Sequence, residues 1–263
     1  MTKHTFYCYL FILISLVSCV PTKDLIYLQN KNNGISNAVN LVAAKPYRMQ
    51  TNDILSISIK AMDPKMVSIF NTVETTNQNQ NQSEQGLYFS GYSIDDHGNI
   101  RMPILGEINV LGFTAEEIRI KIEEKLLQDY FKKEAGIFVN VKLAGFRYTV
   151  NGELNSTGTK ILYQDKVNIM EAIANSGDIA VTGDRKNVKV IRQFPQGAET
   201  FTIDLTDSKA MQSVCYNLQP NDYIYVQPLK QKTWGTGKTG IESLGTIITL
   251  LSLATTTFLL LKK

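Results

Sequence analysis

Two uncharged, largely apolar stretches, Thr5 to Val17 and Ser243 to Leu261, lie towards the two ends of the chain and leave the residues between them to build a water-soluble core. The first follows Lys3, ends in small residues and is too short to span a bilayer, which is the form of a processing signal. The second stands directly before Lys262 and Lys263. Its nineteen residues would extend about 28 Å as a helix, against a hydrocarbon core of about 30 Å, so its length suits one crossing.

The run Leu16-Val17-Ser18-Cys19 has the lipobox pattern of bacterial lipoproteins: an apolar residue, two positions, then a cysteine. Cleavage would remove residues 1–18 and leave Cys19 as an acylated N-terminus. An ordinary secretory peptide with an incidental cysteine, or an uncleaved anchor, is the competing reading. Of three cysteines, Cys8 falls in the removed segment, Cys19 takes lipid and Cys215 remains, so the mature chain can form no intramolecular disulfide. An exported body of that kind depends on its apolar core, and about 240 mature residues suffice for two small domains with attachments. The formal charge of +3 drops by one with Lys3, and no arginine-rich stripe or basic-aromatic interleaving occurs. That argues against nucleic acid as a partner.

The C-terminal stretch carries hydroxyls at Thr246, Thr249, Ser252, Thr255, Thr256 and Thr257. At about 100° per residue all but Thr255 fall within an arc of roughly 140°, opposite Leu244, Ile247, Leu251, Ala254 and Phe258. Such a helix is two-faced. Helices packed in a ring or lining a wet lumen have reason to gather hydroxyls, whereas a lone lipid-facing span has none. The competing reading is local: threonine and serine return hydrogen bonds to the preceding turn. Thr246, Thr249, Ser252 and Thr256 are the candidate pore-lining or helix-packing residues.

Between the ends the pattern divides into a linker at 19–45, a first domain at 46–145, a second at 146–228, a further linker at 229–242 and the terminal helix at 243–261. In the first domain, Asn52-Asp53 turns into an alternating strand over Ile54 to Ile59. An Asn/Gln-rich stretch from Asn71 to Gly86 reads as a solvated loop. Tyr88 to Ile94 reads as a strand, turned at Asp95–Asn99 onto a hairpin partner at Ile100 to Ile104. Thr114 with Glu117 forms a capping box, and Ile118, Ile122, Leu126 and Tyr130 repeat every four residues as one buried helix face. Ile137 to Leu143 alternates again. In the second domain, strands are expected from Tyr148, at Val188 to Phe194, Phe201 to Leu205 and Tyr223 to Val226, with one short helix capped by Asn168 and stopped at Gly177. The fold class is therefore α+β. A weak internal echo joins the domains: Gln50-Thr51-Asn52-Asp53-Ile54 resembles Gln219-Pro220-Asn221-Asp222-Tyr223.

Tyr47 to Leu55, Asp96-His97-Gly98-Asn99-Ile100 with Pro103-Ile104-Leu105-Gly106, the Gly112-Phe113-Thr114 helix entry and Val139-Asn140-Val141 resemble the polysaccharide biosynthesis/export domain of the Wza-like outer-membrane lipoproteins. Val150 to Leu154, Gly158, Met170 to Ala174 and Gly177 are similar to the soluble-ligand-binding β-grasp domain (SLBB) that follows it there. The chain departs from that pattern at Asn52 and Asn221, where glycine is favoured before aspartate, at Asp178, where a second glycine is common, and in having one β-grasp domain. The resemblance implies a homo-oligomeric ring in the outer membrane, its periplasmic domains beneath a barrel of C-terminal helices, exporting capsular polysaccharide or exopolysaccharide. It also implies an inner-membrane polysaccharide copolymerase, often a tyrosine kinase, as partner. The alternative is a lipid-anchored periplasmic glycan- or ligand-binding or scaffold protein without a pore.

Enzyme chemistry finds little footing. His97 is the only histidine after position 18 and belongs to a turn, which leaves no multi-histidine metal site. Glu116-Glu117 and Glu123-Glu124 sit mainly on the solvent side of a capped helix. Gly235 to Thr239 lacks the spacing of a phosphate loop. No catalytic residue, metal or cofactor is expected.

Overall fold

The computed structural model describes residues 21–30, 43, 45–71, 86, 88, 90–132, 135–194, 196–230, 232, 245 and 248–256. The Asn/Gln-rich stretch inside 72–85, the glycine run at 235–239, Cys19 and Thr246 lie outside them. The first domain centres on β1 (Ile54–Lys60), whose burial alternates strictly, and on β5 (Phe138–Leu143). They pair antiparallel with Ile57 opposite Val141 and Ile59 opposite Val139, so one sheet face is aliphatic. That face takes α2 (Ala115–Asp129), which presents Ile118, Ile122 and Leu126, all fully buried; Tyr130, the fourth of the expected repeat, is instead the exposed C-cap just past the helix end. Each such side chain contributes about 1.5–3 kcal/mol on burial, and truncating Ile122 to alanine would cost about 2–5 kcal/mol.

The helix starts where the sequence requires. The Thr114 amide donates to Glu117 Oε2 at 2.7 Å and the Glu117 amide to Thr114 Oγ1 at 3.3 Å, a complete capping box. A one-turn helix α1 (Pro64–Val67), opened by Asp63, brings Val67 into the same core, and Phe70 follows it there.

The segment before α2 differs from the expectation. Tyr88 and Ser90 are helical, with Ser90 Oγ donating to the Gly86 carbonyl at 2.7 Å, and only β2 (Tyr92–Ser93) is extended, paired with Ile54 and Leu55. The hairpin instead joins β3 (Asn99–Met102) to β4 (Gly106–Asn109), because the chain reverses through Ile104 (φ 66°) and Gly106 (φ 73°). The Asp95 turn does form, its carboxylate accepting from the amides of His97 at 2.9 Å and Asn99 at 2.8 Å.

The second domain is a five-stranded mixed sheet in the order β7-β6-β10-β8-β9. It comprises β6 (Phe146–Gly152), β7 (Gly158–Leu162), β8 (Gly183–Phe194), β9 (Gly197–Ile203) and β10 (Tyr223–Pro228). The last strand enters the middle, parallel to β6 and antiparallel to β8. Strand β7 was not expected from its sequence, GTKIL, which starts on glycine and has no fully buried residue. One helix, α3 (Ile169–Asn175), covers one face, with Ile169, Ala172 and Ile173 against Tyr148, Val150, Val190 and Ile224. Its capping box uses Asn168 and Glu171, and it stops at Ser176 and Gly177 (φ 75°).

The three residues that depart from the resembled pattern share one backbone property. Asn52 (φ 68°), Asn221 (φ 68°) and Asp178 (φ 71°) all occupy the left-handed region, where glycine costs least and Asn or Asp is the next choice.

Candidate functional site

Of the expected functional residues, Thr249, Ser252 and Thr256 are described while Cys19 and Thr246 are not, and the structure adds one arrangement that the sequence does not announce. Residues 21–30, within the expected linker at 19–45, are docked on the second domain. The Leu28 amide donates to the Leu205 carbonyl at 2.9 Å, the Gln29 amide to Thr206 at 2.8 Å, and the Ser208 amide returns to Gln29 at 3.1 Å. Lys186 pairs with Asp24 at 2.7 Å. Tyr27 lays its ring 5.3 Å from the Arg185 guanidinium carbon and donates its hydroxyl to Asp178. Burial and that bond push the Tyr27 phenol up to about 12. The available signal is the run Leu25-Ile26-Tyr27-Leu28 between the polar stretches Thr22–Asp24 and Gln29–Asn33.

The two echoing turns are one structure used twice. Asp53 Oδ2 accepts from the Gln50 amide at 2.9 Å and Asp222 Oδ2 from the Gln219 amide at 2.7 Å, each closing the turn before a strand. Their surroundings differ. Asp222, 1 % exposed, receives a two-pronged Arg192 guanidinium at 2.9 and 2.8 Å. Among the described residues no cation reaches Asp53, whose oxygens take Tyr47 Oη at 2.8 Å and Asn221 Nδ2 at 3.1 Å. Burial therefore raises the Asp53 carboxyl above the usual range, and burial beside Asp53 raises the Tyr47 phenol. The Asn221 amide thus ties the second turn to the first across the domain boundary.

The sheet face of the second domain that points away from α3 is open. One cross-strand row runs Thr159, Thr149, Tyr223, Ile191 and Thr200, and the next pairs Asn151 with Tyr225, Tyr225 with Lys189 and Lys189 with Thr202. Asn151 Nδ2 donates to Tyr223 Oη at 2.8 Å, which fixes that ring's tip.

At the C-terminal end, residues 248–256 are helical and exposed. Thr249 Oγ1 donates to the Gly245 carbonyl at 3.1 Å, Thr255 Oγ1 to Leu251 at 2.9 Å and Thr256 Oγ1 to Ser252 at 2.5 Å. These hydroxyls are satisfied by the preceding turn. Ser252 lies on the same exposed stretch, beside Leu250, Leu251 and Leu253. Among the described residues no helix is long and apolar enough to cross a membrane; the expected span reaches beyond those residues at both of its ends. His97 occupies an exposed turn, its carbonyl accepting from Asn109 Nδ2 at 3.3 Å.

Residues 42–143 match the family model described as polysaccharide biosynthesis/export protein, and residues 147–226 match the SLBB domain. The chain carries a polysaccharide-export domain followed by an SLBB domain. It is similar to the EPS I polysaccharide export outer membrane protein EpsA of Ralstonia nicotianae, 29% identical over 168 residues that make up 63% of this chain and 42% of that protein. Its counterpart of the same name from Ralstonia solanacearum is 30% identical over 155 residues, 58% of this chain and 40% of that one. The alignments thus span about two fifths of the length of these relatives. Within this division the Arg192–Asp222 pair and the open face belong to the SLBB domain, the strap at 21–30 is docked on it, and Asn221 is its link to the export domain.

Proposed function

We propose that this chain is an outer-membrane lipoprotein, acylated at Cys19, that assembles as a homo-oligomeric ring and forms a channel exporting capsular polysaccharide or exopolysaccharide. The relatives' names and the order of the two domains support polysaccharide export. What supports this topology is that the described residues nearest both expected attachments, the strap from Pro21 and strand β10, lie on or in the SLBB domain. Pro21 begins the docked strap two residues after Cys19, a reach of about 7 Å, and β10 of the same domain leads into the terminal segment. One membrane can then receive the acyl chains and the 243–261 helix together, with the export domain reaching away from it.

On this reading the 243–261 helices cross the outer membrane side by side, with Thr246, Thr249, Ser252 and Thr256 toward the lumen or the neighbouring helix. The channel performs no bond chemistry. Its physical work is to hold a wet passage open and to meet, at the export domains, an inner-membrane copolymerase of the tyrosine-kinase type. The closed hydroxyl-to-carbonyl bonds of Thr249, Thr255 and Thr256 also suit a second reading, in which the helix is a plain anchor for a glycan-binding or scaffold protein. Deleting residues 244–261 while keeping Cys19 separates the two. The channel loses its rings and polymer export; an anchored binder keeps its oligomeric state and leaves export unchanged.

A further inference from the structure

We infer that the open face of the SLBB sheet is a contact surface for an acidic glycan, a sugar chain bearing carboxylates. The inference rests on the export reading and names its substrate class. Tyr223 and Tyr225 are adjacent same-face residues of the central strand β10, so their Cα atoms stand about 7 Å apart along it. Both are half-buried, and Tyr223 is fixed by the Asn151 amide at 2.8 Å. Ring faces held in this way can stack on the apolar face of a sugar at little entropic cost. Around them the register places hydroxyls: Thr149 and Thr159 on one side, in contact at 3.3 Å, and the exposed threonines of β9 on the other.

Charge selects the ligand. Lys189 stands next to Tyr225 in the register, and Arg147 lies one step along β6 from Thr149 on the same face. Among the described residues neither forms an ion pair, and the paired positions of this face from Arg147 to Thr202 include no carboxylate. Two unneutralised cations on a hydroxyl-rich platform complement an anion. The composition argues against a protein partner, since none of the strongly exposed large apolar residues of the chain lies on these strands' outward positions. Lys189 is half-buried beside the ring of Tyr225, so its charge is less screened than one on a free surface.

The test uses the full chain extracted in detergent, with oligogalacturonate as the acidic probe and a dextran oligomer as the neutral one. Wild type is expected to bind oligogalacturonate, more weakly as salt rises, and to bind the dextran oligomer at least tenfold less well. Tyr225→Ser and Tyr223→Ser are expected each to weaken oligogalacturonate binding roughly three- to tenfold. Tyr225→Phe, which keeps the ring, retains binding, and Lys189→Gln flattens the salt dependence. Far-UV circular dichroism of each variant separates lost binding from lost folding. Equal binding of both probes, or wild-type binding by the well-folded Tyr225→Ser and Lys189→Gln variants, overturns the inference. A change of particle mass in these variants, with glycan binding intact, also overturns it by making the face a contact between copies. Polymer export in cells is scored separately. Export that requires the chain but ignores these variants sinks the inference alone, whereas face-dependent binding with export unaffected by loss of the chain sinks the export reading alone.

Discussion

Replacing Asp222 by asparagine should cost far more than the same change at Asp53, although the two carboxylates close turns of the same shape. Arg192 and Asp222 are 5 % and 1 % exposed and joined by two hydrogen bonds at 2.9 and 2.8 Å. Asp222→Asn leaves a guanidinium that cannot lose its proton in a site that water does not reach, and breaking a buried pair from one side costs about 3–5 kcal/mol. In a domain of some 80 residues each kcal/mol moves the melting midpoint by about 4–8 °C, so a loss of at least about 12 °C is expected for the SLBB domain. At Asp53 no cation is stranded. Asparagine there exchanges one accepting oxygen for a donor, at about 1–2 kcal/mol. Thermal melts with hydrogen exchange read at β1 and β10 assign each loss to its domain. The companion variant Arg192→Met leaves a lone buried carboxylate that can take up a proton, so its deficit should shrink between pH 7 and pH 4.5, while that of Asp222→Asn should not. Equal costs for Asp53→Asn and Asp222→Asn, or an Asp222→Asn deficit that shrinks with acid, would refute the reasoning.

Three further outcomes can be checked. Because the folded pKa of Asp53 lies above its unfolded value, the folded state binds the proton more tightly, and as pH falls through the folded value toward the unfolded one the wild type should gain stability relative to Asp53→Asn; urea midpoints at pH 7 and pH 4.5 test the sign, and a constant gap contradicts it. Ile104 holds φ 66° at an exposed turn, so Ile104→Gly should stabilise the export domain by about 1 kcal/mol in denaturant melts. The amides of Leu28, Gln29 and Ser208 should exchange slowly in the wild type and fast in Tyr27→Ala; fast exchange in the wild type would show that the strap is not docked.

Local signals in the chain translated directly into structure. Both capping boxes, the four-residue repeat Ile118-Ile122-Leu126 and the alternation of β1 are short-range patterns, and each forms the element that it announces. Structure and sequence pattern part where pairing is decided at a distance. Tyr88 to Ile94 alternates well enough for a strand, yet β3 finds its partner in β4 because an isoleucine adopts a conformation more natural to glycine. Strand β7 has weak alternation and exists because β6 offers it an edge. For the site the same rule applies. The Asn-Asp echo showed where Asp222 would sit, but nothing local marks Arg192 as its partner, since it reads as one charged residue in the alternation Val188, Val190, Arg192. The docking of Tyr27 on Arg185 joins residues more than 150 positions apart and has no local trace beyond a short apolar run.

Whether the chain works as a ring is decided by imaging full-length particles extracted in detergent and determining their mass and symmetry. Closed rings are expected, with their SLBB domains against the detergent belt and the acyl chains and the 243–261 helices on that same side. Monodisperse monomers, or rings with the export domains against the belt, would contradict that expectation.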